Sequence, residues 1–272
     1  MMVDGAGYDV DGVIQSISQK AFALPTLHAA ISTLGVGMAG HLFAMQLEGR
    51  FTSFDDMIEG IEPAAAGIYA ALLEVGVGTI TDVTITIIGW SRRDQGPAAY
   101  TMRMSEPESE AYIQQRDARH RAEFNDDTGL GVKAFQLQRT DFSTINPPPF
   151  RPLNEIGFPH YQFDEDIGEV ADPEIDLLHM LEAQRRRKFA TRPGCAEAHK
   201  IGGLALLSSI TANGVYQKVV HRWEEDRLGE TIQPVEIADW RAWRAALAPA
   251  PPEGMSRLRR QMLERKDRKA AR

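Results

Sequence analysis

The dipeptide Asn213-Gly214 constrains the fold of this chain more than any other short segment. It separates two runs rich in β-branched and apolar residues, 202–210 and 215–223. An Asn-Gly pair suits the tight turn whose twist matches that of two antiparallel strands. The sequence therefore predicts a β-hairpin here, and with it an antiparallel sheet.

A second hairpin is predicted over residues 79–104. Thr79–Ile88 consists mostly of β-branched residues, which is typical of a strand. The turn residues Asp94-Gln95-Gly96-Pro97 separate it from a returning strand at 98–104. Two further strands are predicted, at 13–20 and 27–34.

Three helices are predicted between the strands. The first follows Gly35-Val36-Gly37, and its apolar residues at helical spacing are expected in the core; they are Met38, Leu42 and Met45, with Phe43 and Leu47 beside them. The second begins at Thr52-Ser53, is interrupted by Pro63 and continues to Gly76. The third begins at Asp172-Pro173, a capping residue followed by a first-turn proline, and runs to about Lys188.

The order of these elements predicts an antiparallel α+β sandwich with helices outside the sheets. A doubly wound parallel sheet would alternate strand and helix, and this chain does not. We expect one domain over 1–247 with a polar, proline-containing insertion at 105–171, including a short helix near 107–123. Trp240 and Trp243 are expected to fasten the end of this domain onto its body. The linker Ala248-Pro249-Ala250-Pro251-Pro252 then leads into a C-terminal arm that ends at residue 272.

Charge is distributed unevenly along the chain. The net charge is −8, made up of +6 in residues 255–272 and −14 in residues 1–254. The acidic body argues against direct nucleic-acid binding by that body. The basic arm could dock on an acidic partner, on nucleic acid or on a neighbouring subunit, or could remain a solvated helix; its candidate partner-binding residues are Arg257, Arg259, Arg260, Arg265 and Lys266.

Composition excludes several classes of site. The chain has one cysteine, Cys195, so it can form neither an intramolecular disulfide nor a CxxC metal site. Its seven histidines show no HxH or HxxxH spacing, and no metal or cofactor is expected. No apolar run is long enough to span a bilayer, and no secretory signal is visible. These features predict a protein of a reducing compartment such as the cytoplasm, or of a virion if the chain is phage-derived.

The first forty residues resemble the proteasome β-subunit and its bacterial relatives, within the N-terminal-nucleophile (Ntn) hydrolases. In that family a strand ends in Asp-Gly, a lysine follows sixteen residues after the aspartate, and a later strand leads into a glycine turn and a helix. Here Asp4-Gly5 and Lys20 have that separation, Leu24 and 29–34 follow, and Gly35-Val36-Gly37 occupies the place of the turn. The resemblance extends over 1–104 and 172–232.

The resemblance implies a four-layer α/β/β/α Ntn-hydrolase-like sandwich and a role for each matched residue. Asp4 would be the orienting carboxylate and Lys20 its electrostatic partner beside the nucleophile. Gly35 or its neighbours would supply the backbone N–H that stabilises an oxyanion. From the residues alone, Asp4 and Lys20 could equally form a structural pair, and Gly35 and Gly37 could serve only a tight turn.

The family's nucleophile is an N-terminal Thr, Ser or Cys one strand before the aspartate, whereas this sequence has Met1-Met2-Val3 ahead of Asp4. Gly194-Cys195 has the dipeptide type that Ntn precursors cleave, but an idle or packed thiol is the expected state of Cys195. The first functional hypothesis is therefore a catalytically inactive Ntn-like protein that serves as a structural or assembly subunit of a larger particle, including a phage-type particle. The alternative is an Ntn peptidase or amidohydrolase whose nucleophile lies upstream of the present start. The expected partners are further copies of the chain or other proteins, not a membrane.

Overall fold

The structure, a computed structural model, describes residues 1–74, 82–105, 114, 118, 134–140, 149–158, 172–190 and 196–247. These residues form a mixed α+β protein whose sheets are antiparallel. The strands are β1 (Met2–Asp4), β2 (Ala6–Tyr8), β3 (Ile14–Ile17), β4 (Ala21–Leu24), β5 (Ala29–Leu34), β6 (Asp82–Ser91), β7 (Gly96–Ser105), β8 (Gln138–Arg139), β9 (Lys188–Phe189), β10 (Ala198–His199), β11 (Leu204–Thr211) and β12 (Gly214–Arg222). The helices are α1 (Ala39–Glu48), α2 (Phe54–Glu74), α3 (Pro173–Arg185) and α4 (Trp240–Leu247), and short 3-10 helices cover Pro25–Leu27 and Leu153–Ile156.

The larger sheet has five strands in the order β4-β5-β6-β7-β8. Helices α1 and α2 pack against it, α1 on β4 and β5 and α2 on β6 and β7. The apolar core between helices and sheet contains Phe43 and Leu47 from α1, Met57 from α2, and Ile31 and Ile85 from the sheet. Alternate residues of β6 are buried, because successive side chains of a strand point to opposite faces.

The second main sheet has three strands in the order β1-β11-β12. Its strands β11 and β12 contact β4 and β5 of the larger sheet, and a small apolar cluster of Ala21, Leu204 and Leu206 lies where they meet. Helix α3 contacts β1, β11 and β12, and α4 contacts α3. Two ribbons of two strands each, β2-β3 and β9-β10, complete the described sheets.

Both predicted hairpins are confirmed. β6 and β7 pair from Asp82↔Ser105 to Ser91↔Gly96, and β11 and β12 pair up to Thr211↔Gly214 around the Asn213-Gly214 turn. In both places the turn residues alone were sufficient to predict the hairpin, since each turn joins strands that are neighbours in the sheet.

The start of α3 is also confirmed. The side chain of Asp172 accepts hydrogen bonds from the backbone N–H groups of Glu174 and Ile175, and Pro173 occupies the first turn. The helix ends at Arg185, slightly before the expected end near Lys188. Trp240 and Trp243 fasten the C-terminal segment as predicted, because both rings contact His179 of α3.

The predicted interruption of the second helix at Pro63 is wrong. Helix α2 is continuous over 21 residues with Pro63 inside it. Proline removes one helical N–H donor, but Ile61, Ala64, Ala65 and Ile68 on either side of it are buried in the core. This packing holds both halves of the helix, because tertiary contacts contribute most of a helix's stability in a protein.

The predicted core face of the first helix is wrong in part. Phe43 and Leu47 are buried as expected, whereas Met38 and Met45 are exposed. The helix turns its Ala39, Gly40 and Phe43 side to the sheet because the small residues allow close approach. A Cβ atom on Gly40 would lie 2.6 Å from Cε2 of Phe22.

Several predictions lie outside the described residues. They concern most of the 105–171 insertion, Cys195, the 248–252 linker and the basic arm at 255–272.

Candidate functional site

Asp4 and Lys20, the two charged residues of the predicted site, lie together. β1 ends at Asp4, and the ribbon β2-β3 carries the chain out and back. A hydrogen bond from the N–H of Ser18 to the carbonyl of Gly5 (2.9 Å) closes the base of this excursion. As a result Nζ of Lys20 lies 2.9 Å from both carboxylate oxygens of Asp4.

Backbone groups hold the Asp4 carboxylate in place. Its Oδ2 accepts hydrogen bonds from the N–H of Ala6 (3.1 Å) and from the N–H of Gly202 (3.3 Å). The carboxylate side chain is only 9% exposed, whereas the lysine side chain is 26% exposed. Asp4 is therefore a fixed, saturated anion, and the ammonium of Lys20 is the member of the pair that solvent can reach.

Gly5 follows Asp4 because no other residue fits there. A Cβ atom on Gly5 would lie 2.6 Å from Cγ of Leu204 and 2.9 Å from the carbonyl oxygen of Ser18. The Asp-Gly dipeptide thus has a packing cause in addition to the resemblance that drew attention to it.

A tyrosine and a second lysine border the pair. Nζ of Lys20 and Nζ of Lys200 each lie 5.5 Å from the centre of the Tyr8 ring, within cation–π range. Lys200 is fully buried and also lies over the ring of Phe189. Burial, and secondarily the negative charge of Asp4, raises the pKa of Tyr8 above its ordinary value. Tyr8 therefore stays neutral and offers its ring face to the two ammonium groups.

A second buried ion pair lies on the other side of the Gly202-Gly203 turn. Arg185 binds Asp226 through two hydrogen bonds, Nη1 to Oδ2 (2.7 Å) and Nη2 to Oδ1 (2.6 Å). Nη1 of Arg185 also donates to the carbonyl of Ile201, and the Arg185 guanidinium lies over the Trp223 ring. The N–H of Gly203 donates to Asp226 (2.6 Å), while the N–H of Gly202 donates to Asp4.

The diglycine turn thus joins two buried carboxylates through consecutive backbone amides. A Cβ on Gly202 would lie 2.3 Å from Oδ2 of Asp226, so the arrangement requires glycine there. Sequence reasoning missed Arg185 and Asp226, which are separated by 41 positions. The adjacent glycines were the one available signal, because they indicate close backbone approach.

Gly35 lies at the same end of the larger sheet as Lys20. Ala21 pairs with Ser32, so the residues just before β4 face the end of β5, where the Gly35-Val36-Gly37 turn begins. Gly35 has a φ of +115°, and a Cβ there would lie 2.4 Å from the carbonyl oxygen of Asp82. Within the described residues no hydrogen bond joins Gly35 to Asp4 or Lys20.

The remaining candidate residues cannot be placed in this site. The five basic residues of the arm (Arg257, Arg259, Arg260, Arg265 and Lys266) and Cys195 lie outside the described residues. Across the described ranges, no group of three or more His, Cys, Asp or Glu side chains could hold a metal ion. No helix in the same ranges is both long and apolar enough to cross a membrane.

The arrangement can position a positive charge beside a reacting or binding group. An ammonium next to an acidic group lowers that group's pKa, and a carboxylate fixed by two backbone amides keeps this ammonium in place. In the part of the chain described by the structure, however, Lys20 hydrogen-bonds only to Asp4. No hydroxyl or thiol from these residues shares the ammonium.

Comparison with protein-family models finds no match, and comparison with curated proteins finds no relative of this chain.

Proposed function

We propose that the chain is an Ntn-hydrolase-like protein that does not hydrolyse peptides or amides in this form and serves as a structural or assembly subunit of a larger particle. The observation that carries the proposal is the Asp4–Lys20 pair, whose ammonium is bonded to both carboxylate oxygens at 2.9 Å. In an active Ntn site, by resemblance, such an ammonium would also act on a nucleophile. Here all of its hydrogen bonds within the described residues end on Asp4.

The order in which elements contact one another supports the Ntn-like part of the proposal. Helices α1 and α2 cover the larger sheet, the larger sheet meets β11 and β12, and α3 lies against the smaller sheet. This succession is compatible with a four-layer α/β/β/α sandwich. The Asp-Gly strand end, the lysine and the glycine turn occur in it in the order that the resemblance requires.

The burial of Asp4 supports a structural role for the pair. A carboxylate that is 9% exposed and accepts two backbone N–H groups stabilises the junction of β1 with the Gly202-Gly203 turn. The lysine offsets the cost of burying that charge. Such a pair has a role in folding with or without catalysis.

The first prediction follows from this proposal: the chain will show no hydrolytic activity. The test incubates it with a panel of fluorogenic peptides and with a covalent probe for N-terminal nucleophiles, alongside Lys20→Met. We expect no labelling and background turnover for both proteins, because Lys20 can only assist a nucleophile. Turnover or labelling of the wild-type chain that is lost in Lys20→Met would contradict the proposal.

A second candidate function is supported by the exposure of Lys20. About a quarter of its side chain is accessible, and the glycine turn lies at the same end of the sheet. A longer form of the chain that places a Thr, Ser or Cys nucleophile beside Lys20 would be an Ntn peptidase or amidohydrolase. Expression with the in-frame upstream codons, followed by the same probe, distinguishes this candidate: labelling at a new N-terminal residue supports it, and an unlabelled longer chain argues against it.

A further inference from the structure

Helix α1 has a solvent-facing apolar side that the fold does not use. Met45 is 64% exposed, Met38 is 50% exposed, and Leu34, at the end of the preceding strand, is 49% exposed. Three of the eight large apolar residues that are exposed in the described part of the chain therefore fall on one strand-turn-helix segment. Clustered exposed apolar residues mark interaction surfaces, whereas single ones are ordinary.

The exposed residues lie on one side of the helix. Met38, Leu42 and Met45 are spaced i, i+4 and i+7, which places them in a line along the axis. Leu42 is half-buried between the two methionines, and the opposite side, Ala39, Phe43 and Leu47, is packed on the sheet. The line is therefore a continuous ridge on a helix whose other side is already anchored.

The segment that carries this ridge has no charged residue. From Ala21 to Leu47, 27 consecutive residues contain no Asp, Glu, Lys or Arg, in a chain that is 25% charged. The exposed polar neighbours of the ridge on α1 are His41 and Gln46. Depletion of charge together with exposed methionine is typical of the central part of a protein–protein interface.

We propose that this ridge, comprising Leu34, Met38, Leu42 and Met45, is a self-association surface at which α1 packs against α1 of a second copy about a two-fold axis. The absence of charge on the ridge is what suits a second copy as the partner. Each copy carries −8, so most surfaces of two copies repel each other, while the uncharged ridge can meet itself without placing like charges in contact. An isologous contact uses the same patch on both copies, as the ridge requires.

The size of the ridge sets the expected strength. A ten-residue helix is about 15 Å long, so the paired ridges bury an area at the low end for specific interfaces, below about 1,200 Å² in total. We therefore expect two copies to associate with a dissociation constant between the micromolar and the submillimolar range. The inference deepens the assembly role proposed above and rests on it for the choice of a protein partner, although its test does not depend on activity.

The second prediction is that Met45→Glu weakens self-association at least tenfold. In a two-fold contact each copy brings its own new carboxylate into the apolar interface, so one substitution counts twice. Sedimentation velocity over a micromolar to submillimolar series measures the effect, with Val235→Glu as the matched control because Val235 is equally exposed (66%) on another part of the surface. Thermal unfolding of all three proteins should agree, since neither substituted side chain is in the core.

Cross-linking tests the symmetry of the contact. In a Cys195→Ser background, a bifunctional thiol cross-linker long enough to span the ridge should join two copies of Met45→Cys and should not join two copies of Val235→Cys. A wild-type chain that is monomeric throughout the series would overturn the inference, as would association that Met45→Glu and Val235→Glu weaken equally. Hydrolytic activity in a chain that still dimerises through α1 would overturn the proposed function and leave this inference standing.

Discussion

Asp4 and Lys20 form an asymmetric pair, and the asymmetry determines what each substitution does. The carboxylate is buried and has three donors, whereas the ammonium is partly in solvent and has one acceptor group. Removing the lysine leaves a buried negative charge with two neutral backbone donors. Removing the carboxylate leaves a lysine that can turn toward water.

The third prediction is that Lys20→Met lowers the free energy of unfolding by about 1–3 kcal/mol, because it leaves the buried Asp4 charge without its cation. Urea denaturation at neutral pH measures the change. The matched control is Lys218→Met, since Lys218 also bonds both oxygens of a carboxylate, that of Glu174, but in an exposed pair. That control should change stability by less than about 1 kcal/mol. Equal effects of the two substitutions would argue against a structural role for the Asp4–Lys20 pair.

His179 is the most constrained titratable group outside the Asp4 site. Its ring is fully buried, stacks on Trp240 with centroids 5.1 Å apart, and meets Trp243 and Phe158 edge-on. Nε2 donates to the carbonyl of Ile156 (3.0 Å), while Nδ1 has no hydrogen-bond partner in the described part of the chain. Burial, and then the nearby Arg244 charge, lowers the pKa of His179 to about 4, against smaller opposing effects of the hydrogen bond to Ile156 and of Asp176.

The fourth prediction is a loss of stability in mild acid that depends on His179. The folded-state pKa of His179 lies below its unfolded value of 6.5, so the unfolded chain binds the proton first. The contribution of His179 is therefore intact above the unfolded pKa, falls as the pH drops toward 4, and levels off below it. The loss amounts to roughly 3 kcal/mol.

Urea denaturation across this pH range, for the wild-type chain and His179→Gln, provides the test. Glutamine keeps a donor for Ile156 and does not titrate, so its curve should fall less steeply with acid. The comparison also removes the contribution of His199, whose pKa is lowered chiefly by burial. Parallel curves would contradict the assignment to His179.

Sequence reasoning found one of the two ion pairs whose carboxylates accept from the Gly202-Gly203 turn. Asp4 and Lys20 could be predicted as a pair because the family resemblance specifies how far apart they are in the sequence. The structure shows them in contact. The pair of Arg185 and Asp226 could not be predicted, since Arg185 is one of three consecutive arginines and nothing in the sequence distinguishes the buried one. Only the fold, which places Trp223 and the Gly202-Gly203 turn around Arg185, selects it.

Secondary structure elements were predictable where the decisive signal is local. The two hairpins and the capped start of α3 depend on a few adjacent residues, and all three are present. The orientation of α1 was not predictable in this way. The helix is apolar on nearly every side, so a periodic pattern fits both the Phe43 face and the Met45 face. The choice between them depends on how closely Gly40 lets the helix approach Phe22, which is a tertiary fact.

Helix α4 shows how a short element can be stable without a buried face of its own. No residue of α4 is fully buried, yet Trp243 and Leu247 pack on the cluster of Leu178 and Leu181 from α3. Asp239 caps its first turn by accepting from the N–H groups of Arg241 and Ala242, and Arg244 bonds Asp176. The docking depends on the surface of α3, and so α4 should be stable only on the intact body.

The whole chain combines a body of −14 with an arm of +6. From these opposite charges we expect the arm to bind either its own body or that of a neighbour. Either contact weakens with salt, because the Debye length falls from about 10 Å at 0.1 M to about 3 Å at 1 M. By contrast, association through the uncharged α1 ridge should not weaken with salt, because salt screens the repulsion between two copies that each carry −8.

The fifth prediction separates the arm from the body. Truncation after Pro252 should leave the melting temperature within a few degrees of that of the full chain, since the linker and arm follow the last helix that packs on α3. Truncation after Pro234 also removes α4 and exposes His179, Leu178 and Leu181, and loss of the half-buried Trp243 alone should cost about 1–3 kcal/mol. Calorimetry compares the two truncations, and sedimentation at low and high salt compares their association.

Loss of only the salt-sensitive association after the first truncation supports the arm as a docking device for an acidic surface. If the body unfolds after the first truncation, the arm is part of the core. If association at low salt is unchanged, the arm is a solvated end.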